Sequence, residues 1–249
     1  MIEPTELLRP RLLQGVSVLL AGDSSQADVA RARPAAGSPA PTSAGAPARR
    51  QSPPASFGAS VHSACVELGA RVSVVGPIDG CSRGEEEAEM DELVAVALAE
   101  LGTVEMLVLD AAFPFAAGAG GAGASSGEGG QDEARVALRR CLQVAWSVTR
   151  AVVNVALLPG ERGGRIVYLA PRPLAGAHAG AACAGLENLA RTLSIEWARH
   201  GITAVTIAPG ESTSEQQVAS LTAYLASPAG GYFSGCLLDL RGPVATAVP

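Results

Sequence analysis

The chain has 249 residues, 48% of them hydrophobic, and a formal net charge of -6. That length carries one α/β domain with a sizeable core, and an acidic balance without clustered positive charge argues against nucleic acid and anionic membrane surfaces as partners, which need it. Five scattered cysteines without a Cys-x-x-Cys fit reduced thiols in a cytoplasm better than a disulfide frame or a zinc site.

Met1 to Gln14 carries Glu3 and Glu6 and no long apolar stretch, so no signal peptide is expected there, and no apolar run is expected to reach the width of a bilayer without a Gly, Pro or charge. Leu12 to Gly22 reads as a lead-in and a first buried strand. Asp23 to Pro54, rich in Ala, Pro, Ser, Gly and Arg and without periodicity, predicts a flexible insertion over about 23–55. A helix follows from Ser56-Phe57-Gly58, with Val61, Cys65 and Leu68 on one face. Gly69 to Gly76 predicts the second strand. Glu85 to Glu89 is an acidic helix start, favoured by the helix dipole, and Leu93, Val94, Val96, Ala97, Leu98 and Leu101 would be that helix's apolar face.

Glu105 to Ala112 predicts a third strand, and Phe113 to Gly130 a second Gly/Ala/Ser-rich loop, flexible over about 114–130. Gln131 to Leu158 reads as a long helix ended by Pro159-Gly160, apolar at Val136, Leu142, Val144, Ala145, Val148, Val152 and Val155. Gly164 to Ala170 is a strand buried on both faces. Ala179 to His200 is a helix with Leu186, Leu189, Leu193 and Trp197 at helical spacing, and Gly201 stops it. Ile202 to Gly210 is the next strand, Val218 to Ala226 a helix, and Tyr232 to Gly242 the last strand. Alternating strands and helices of this kind predict a single domain over residues 1–249, a Rossmann-like, doubly wound parallel α/β sheet.

The strings Gly164-Arg165-Ile166-Val167, Leu186-Glu187-Asn188-Leu189-Ala190-Arg191-Thr192-Leu193-Ser194-Ile195-Glu196 and Ala208-Pro209-Gly210 resemble the second half of a short-chain dehydrogenase/reductase. The resemblance implies a Tyr-x-x-x-Lys pair at the start of the helix, a Ser at the end of the preceding strand and an Asn in the helix before it. Registered on Leu186 and Glu187, the Tyr position holds Ala179 and the Lys position Cys183. The Ser falls at Ala170 or Pro171, and the Asn at Cys141. None of these can pass a proton to a carbonyl oxygen or lower a phenol's pKa. All 18 Lys+Arg residues are Arg, so no change of register recovers the lysine.

The nucleotide side has changed as well. The family's Gly-x-x-x-Gly-x-Gly turn is opened by the insertion, leaving Gly22 and Gly58 as its ends and Ser56 at the place of a glycine. Gly76 stands where an acid or base would meet the ribose, and Leu109, Asp110 and Ala112 replace residues of an Asn-Asn-Ala-Gly string. Pro209 and Gly210 remain. The chain between Gly76 and Glu85 is too short for both adenine-side elements, and the substrate lid after Gly210 is missing.

What the resemblance then implies is a pseudoenzyme. It would be a non-catalytic, cytoplasmic subunit without a cofactor or metal of its own, paired in a heterotetramer with a catalytically intact short-chain dehydrogenase/reductase that holds NAD or NADP. Leu142, Trp146, Leu186, Leu189, Leu193, Trp197, Tyr232 and Leu238 are the expected interface. Two alternatives stay open. An active NAD(P)-dependent oxidoreductase with a rebuilt site would need a proton donor, and Tyr168, Tyr224 and Tyr232 are the only phenols; a homo-oligomeric scaffold or ligand sensor would need none. Cys141, His178 and Cys183 could also form a new cluster, though no further ligand or acid completes it.

Overall fold

The computed structural model describes residues 8–22, 56–76, 83–118 and 128–242, with the side chains of 83–86 and 128–130 left aside. The predicted insertion over 23–55 lies outside the described residues, as do 119–127 of the second predicted loop.

Short apolar runs become strands whose alternate residues face opposite layers. In β1 (Ser17–Ala21), Leu19 and Ala21 join one core and Val18 and Leu20 the other. The same division holds in β3 (Met106–Asp110) and β4 (Gly164–Leu169). With β2 (Arg71–Val75), β5 (Ile202–Pro209) and β6 (Cys236–Leu240) they form one sheet in the order β2-β1-β3-β4-β5-β6, every pair parallel. Strands buried on both faces need helices on both, and the crossovers supply them. On one face lie α1 (Gly58–Glu67) and α6 (Glu215–Ala226); on the other lie α2 (Arg83–Leu101), α4 (Glu128–Val152) and α5 (Ala179–Glu196). A single short helix, α3 (Ala112–Gly118), follows β3.

The doubly wound parallel sheet is as the sequence predicts, and several local expectations are corrected. Ala112–Gly118 is helical rather than loop, and α4 begins at Glu128 rather than Gln131. Pro114 in the first turn costs α3 no hydrogen bond, because those amides lack an intrahelical acceptor anyway. The long helix changes to a π turn at Val153–Leu157 before its last turn. On α2 only part of the proposed face is inside: Val94, Ala97 and Leu101 are buried, while Leu93 and Val96 reach solvent. Tyr232 belongs to a short 3-10 turn ahead of β6 instead of to the strand. Residues 131–160 are long and apolar enough to cross a bilayer by length and composition, but Arg150 interrupts the apolar run, and half of its most apolar part is buried inside the fold, as in a core helix.

Among the described residues the sheet stops at β2, with no adenine-side strand beyond it. After Gly210 only four residues precede α6. A capping box closes that gap: Ser214 Oγ accepts from the Gln217 amide at 3.2 Å, and Gln217 Oε1 accepts from the Ser214 amide at 2.8 Å.

Candidate functional site: the carboxyl edge of the sheet

In an open parallel sheet the ligand crevice lies beyond the carboxyl ends of the strands, where the winding reverses. Here that point is between β1 and β3. The crevice is a cavity of about 20 Å³ bordered by Ala21, Gly22, Gly76, Asp110, Phe113 and Arg140. One water fills such a space, whereas ligand sites usually enclose several hundred Å³.

Asp110, the last residue of β3, is fully buried beside it. Its Oδ2 accepts three hydrogen bonds from the start of α1: Ser56 Oγ at 2.7 Å, the Phe57 amide at 2.6 Å and the Gly58 amide at 2.8 Å. Gly22 makes the approach possible, since a Cβ there would stand 3.2 Å from Asp110 Cβ. Oδ1 has no partner in hydrogen-bonding geometry among the described residues, although the Ala112 amide is near enough to favour its charge.

Burial pushes the Asp110 carboxyl up from 3.8 to about 6, against the Ser56, Phe57, Gly58 and Ala112 donors that hold it down. A carboxyl whose folded pKa exceeds its unfolded value binds its proton more tightly in the folded chain. Its contribution to stability is therefore full below 3.8 and is lost as the pH rises through about 6. Asp110→Asn cannot titrate. Relative to that variant, the parent is expected to lose about 3 kcal/mol between about pH 4 and pH 7 in urea melts.

Two further devices close the edge. Arg172, in the loop after β4, is 6% exposed. Its Nη1 donates to the carbonyls of Gly210 (2.6 Å) and Glu211 (3.4 Å), its guanidinium carbon lies 5.0 Å from the centroid of the Phe57 ring, and its Nε is buried without a hydrogen bond. Helix α3 supplies the other. It lies so close to α4 that a Cβ on Gly118 would stand 2.7 Å from Ala137 Cα, and it holds the fully buried Phe115 against Gly176 in the loop leading to α5.

No protein-family model matches the sequence, and no curated protein matches it. Solved structures do. A short-chain dehydrogenase from Mycobacterium smegmatis superposes with a TM-score of 0.64 at 19% identity, over 94% of this chain and 95% of its own. A hydroxysteroid dehydrogenase from Escherichia coli gives 0.63 at 16% identity, over 94% and 99%. A 3-ketoacyl-(acyl-carrier-protein) reductase from Brucella melitensis, complexed with NADH, gives 0.59 at 19%, over 92% and 98%. The chain has the short-chain dehydrogenase fold.

On that fold the positions singled out from the sequence lie after the end of β4 (Ala170, Pro171), at the start of α5 (Ala179, Cys183) and in the middle of α4 (Cys141). They are apolar and closed: Ala170 and Cys141 are fully buried, Ala179 is 1% and Cys183 6% exposed, and Pro171 is buried. Burial pushes the Cys141 thiol up to about 12, with the charges of Asp110 and Cys183 adding to it, and its Sγ donates to the Ala111 carbonyl at 3.5 Å. Burial also raises Cys183, with Arg241 opposing. Neither thiol is a nucleophile at neutral pH. His178 is half-buried at the N-cap of α5 without a capping bond, and among the described residues no group of three His, Cys, Asp or Glu could hold a metal.

The phenols lie elsewhere on the short-chain dehydrogenase fold. Tyr168 points into α4, where its hydroxyl is 2.8 Å from Thr149 Oγ1 and burial raises its pKa strongly. Tyr224 packs edge-on against Phe233, and Tyr232 is 92% exposed. None lines the crevice. Of the residues expected at an interface, Leu186 and Leu193 are buried in the chain itself. Leu142, Leu189, Trp197 and Leu238 are half-buried, and Trp146 is 45% exposed.

Sequence reasoning passed over Arg172 and Phe115 altogether. The first sits in a Pro-Arg-Pro loop with no helical or strand period to single it out. The second carried a readable signal, two aromatics flanking Pro114 where a turn of helix can start. A larger concavity of about 330 Å³ lies at the opposite, amino edge of the sheet, bordered by Glu105, Arg162, Arg165 and Thr203. Arg165 is tied there to the Ala226 carbonyl at 2.6 Å.

Proposed function

We propose that this chain is a non-catalytic subunit of a short-chain dehydrogenase/reductase assembly. It would pair with an intact reductase or dehydrogenase that holds NAD or NADP, in a heterotetramer, and stabilise or shape that partner's site. The observation that carries the reading is the content of the would-be active centre: Cys141, Ala170, Pro171, Ala179 and Cys183 are buried, and none can act as proton donor or cation at neutral pH. The small crevice at the switch point supports it, as does the state of the surface. α4 and α5 carry Trp146 and Ile195 outward, 45% and 72% exposed, and among the described residues β6 is the edge strand, paired only with β5 and half-buried along most of its length.

The test is purification of the chain from its native extract. A second chain bearing Tyr-x-x-x-Lys in equal amount supports the reading, and a particle made of this chain alone contradicts it in favour of a scaffold. In the assembly, Trp146→Ala is expected to weaken association by about 2 kcal/mol, the usual scale for an aromatic anchor at an interface, while leaving the melting of the isolated chain nearly unchanged. Sedimentation of the mixed subunits over a dilution series reads both.

A further inference from the structure

The three donors around Asp110 Oδ2 form an anion seat. Two are the amides of Phe57 and Gly58, which open α1 and have no acceptor within the helix, and the third is Ser56 Oγ. Such a helix start, at the first turn of a parallel sheet, is where a phosphate would dock, because the amides point outward and the helix dipole favours negative charge. An ordinary cap comes from the residue just before the helix. Phe57 provides no side-chain cap, and the acceptor instead arrives from 53 residues away in sequence, from the end of a different strand.

We propose that Asp110 is the cleft's own resident anion: its carboxylate takes the seat of a phosphate group and determines that no phosphate-bearing ligand enters there. A carboxylate fixed to the sheet is always at its site, so a free anion must displace it without the benefit of association and against its charge. The surroundings match that assignment. Gly22 leaves room for the side chain, and Oδ1 has no hydrogen-bond partner among the described residues, as for a carboxylate held by one oxygen. Arg172 stacked on Phe57 covers the same turn.

The inference rests on the reading above only in taking the cleft as one that no longer serves hydride transfer. Its test uses this chain alone, so it can fail while the partner is found, or hold while no partner is found. Asp110→Ala empties the seat and leaves three donors facing a cavity. Its thermal midpoint is expected to lie well below the parent's and to be raised saturably by inorganic phosphate, by roughly 5–10 °C at saturation, relative to chloride at equal ionic strength. The parent and the isosteric Asp110→Asn, whose seats stay filled, should show no such rise. Should Asp110→Ala be unfolded in chloride, phosphate is expected to restore its folded signal, and Asp110→Ser, which keeps one acceptor, is titrated in the same way. If neither variant responds to phosphate beyond the parent, Asp110 is only a structural brace and the proposal is overturned.

Discussion

Phe115→Ala is expected to lower the unfolding free energy by about 3–5 kcal/mol, the range for removing a large buried aromatic. The ring is fully buried, yet it belongs to a helix of seven residues whose own hydrogen bonds could not hold it in place. What fixes α3 is contact: Gly118 against Ala137 on one side, and the Phe115 ring against Gly176 on the other. Removing the ring opens a void between the end of β3 and the loop that leads to α5. The loss should appear in urea melts as a lower midpoint with little change of slope. Phe115→Leu, which keeps most of the volume, should lose less than half as much. Equal losses would show that the ring does not seal the edge.

Rebuilding the missing pair should fail, and at a cost. The variant Ala179→Tyr with Cys183→Lys restores the spacing of a phenol and an ammonium. Position 183 is 6% exposed, and the acids near it are engaged, Glu187 with Arg191 at 2.7 Å and Asp239 with Arg241 at 2.6 Å. An ammonium placed there is desolvated and faces Arg241, so a loss of about 3–5 kcal/mol is expected from the lysine alone. No carbonyl reduction should follow, since Ala170, Pro171 and Cys141 still supply neither hydroxyl nor amide. Stable folding of the double variant together with turnover of a ketone would contradict the account.

The layered sheet was legible in the sequence because its signals are local and strong. Runs such as Ile166 to Leu169 between Gly and Pro need no tertiary information, nor does the stop at Gly201, which adopts the left-handed φ of +67° and ends the 3-10 turn Ala198–His200 that follows α5, whose α-helical part stops at Glu196 and not at His200. The content of the catalytic positions was legible for a different reason: spacing within one helix fixes Ala179 and Cys183, whatever the rest of the fold does. The closing of the cleft was not. Asp110 could be read only as a lost asparagine, because its partners at Ser56, Phe57 and Gly58 lie three elements of the fold away along the chain. α3 is not legible as a helix because Pro114 and Gly118 stand within its seven residues at the edge of a Gly/Ala/Ser-rich run, and its order comes from packing on α4. Leu186 and Leu193 show the same limit from the other side, as one apolar stripe cannot say whether it faces a sheet or a second subunit.

A fold that has kept its sheet but closed its cleft should hold no dinucleotide. Calorimetric titration of NADH and NADPH into the purified chain tests this most directly. No saturable heat is expected up to about 1 mM ligand, which corresponds to a binding free energy weaker than about 4 kcal/mol. Saturation with one dinucleotide per chain at micromolar concentration, abolished by filling the crevice through Gly76→Leu, would contradict the account.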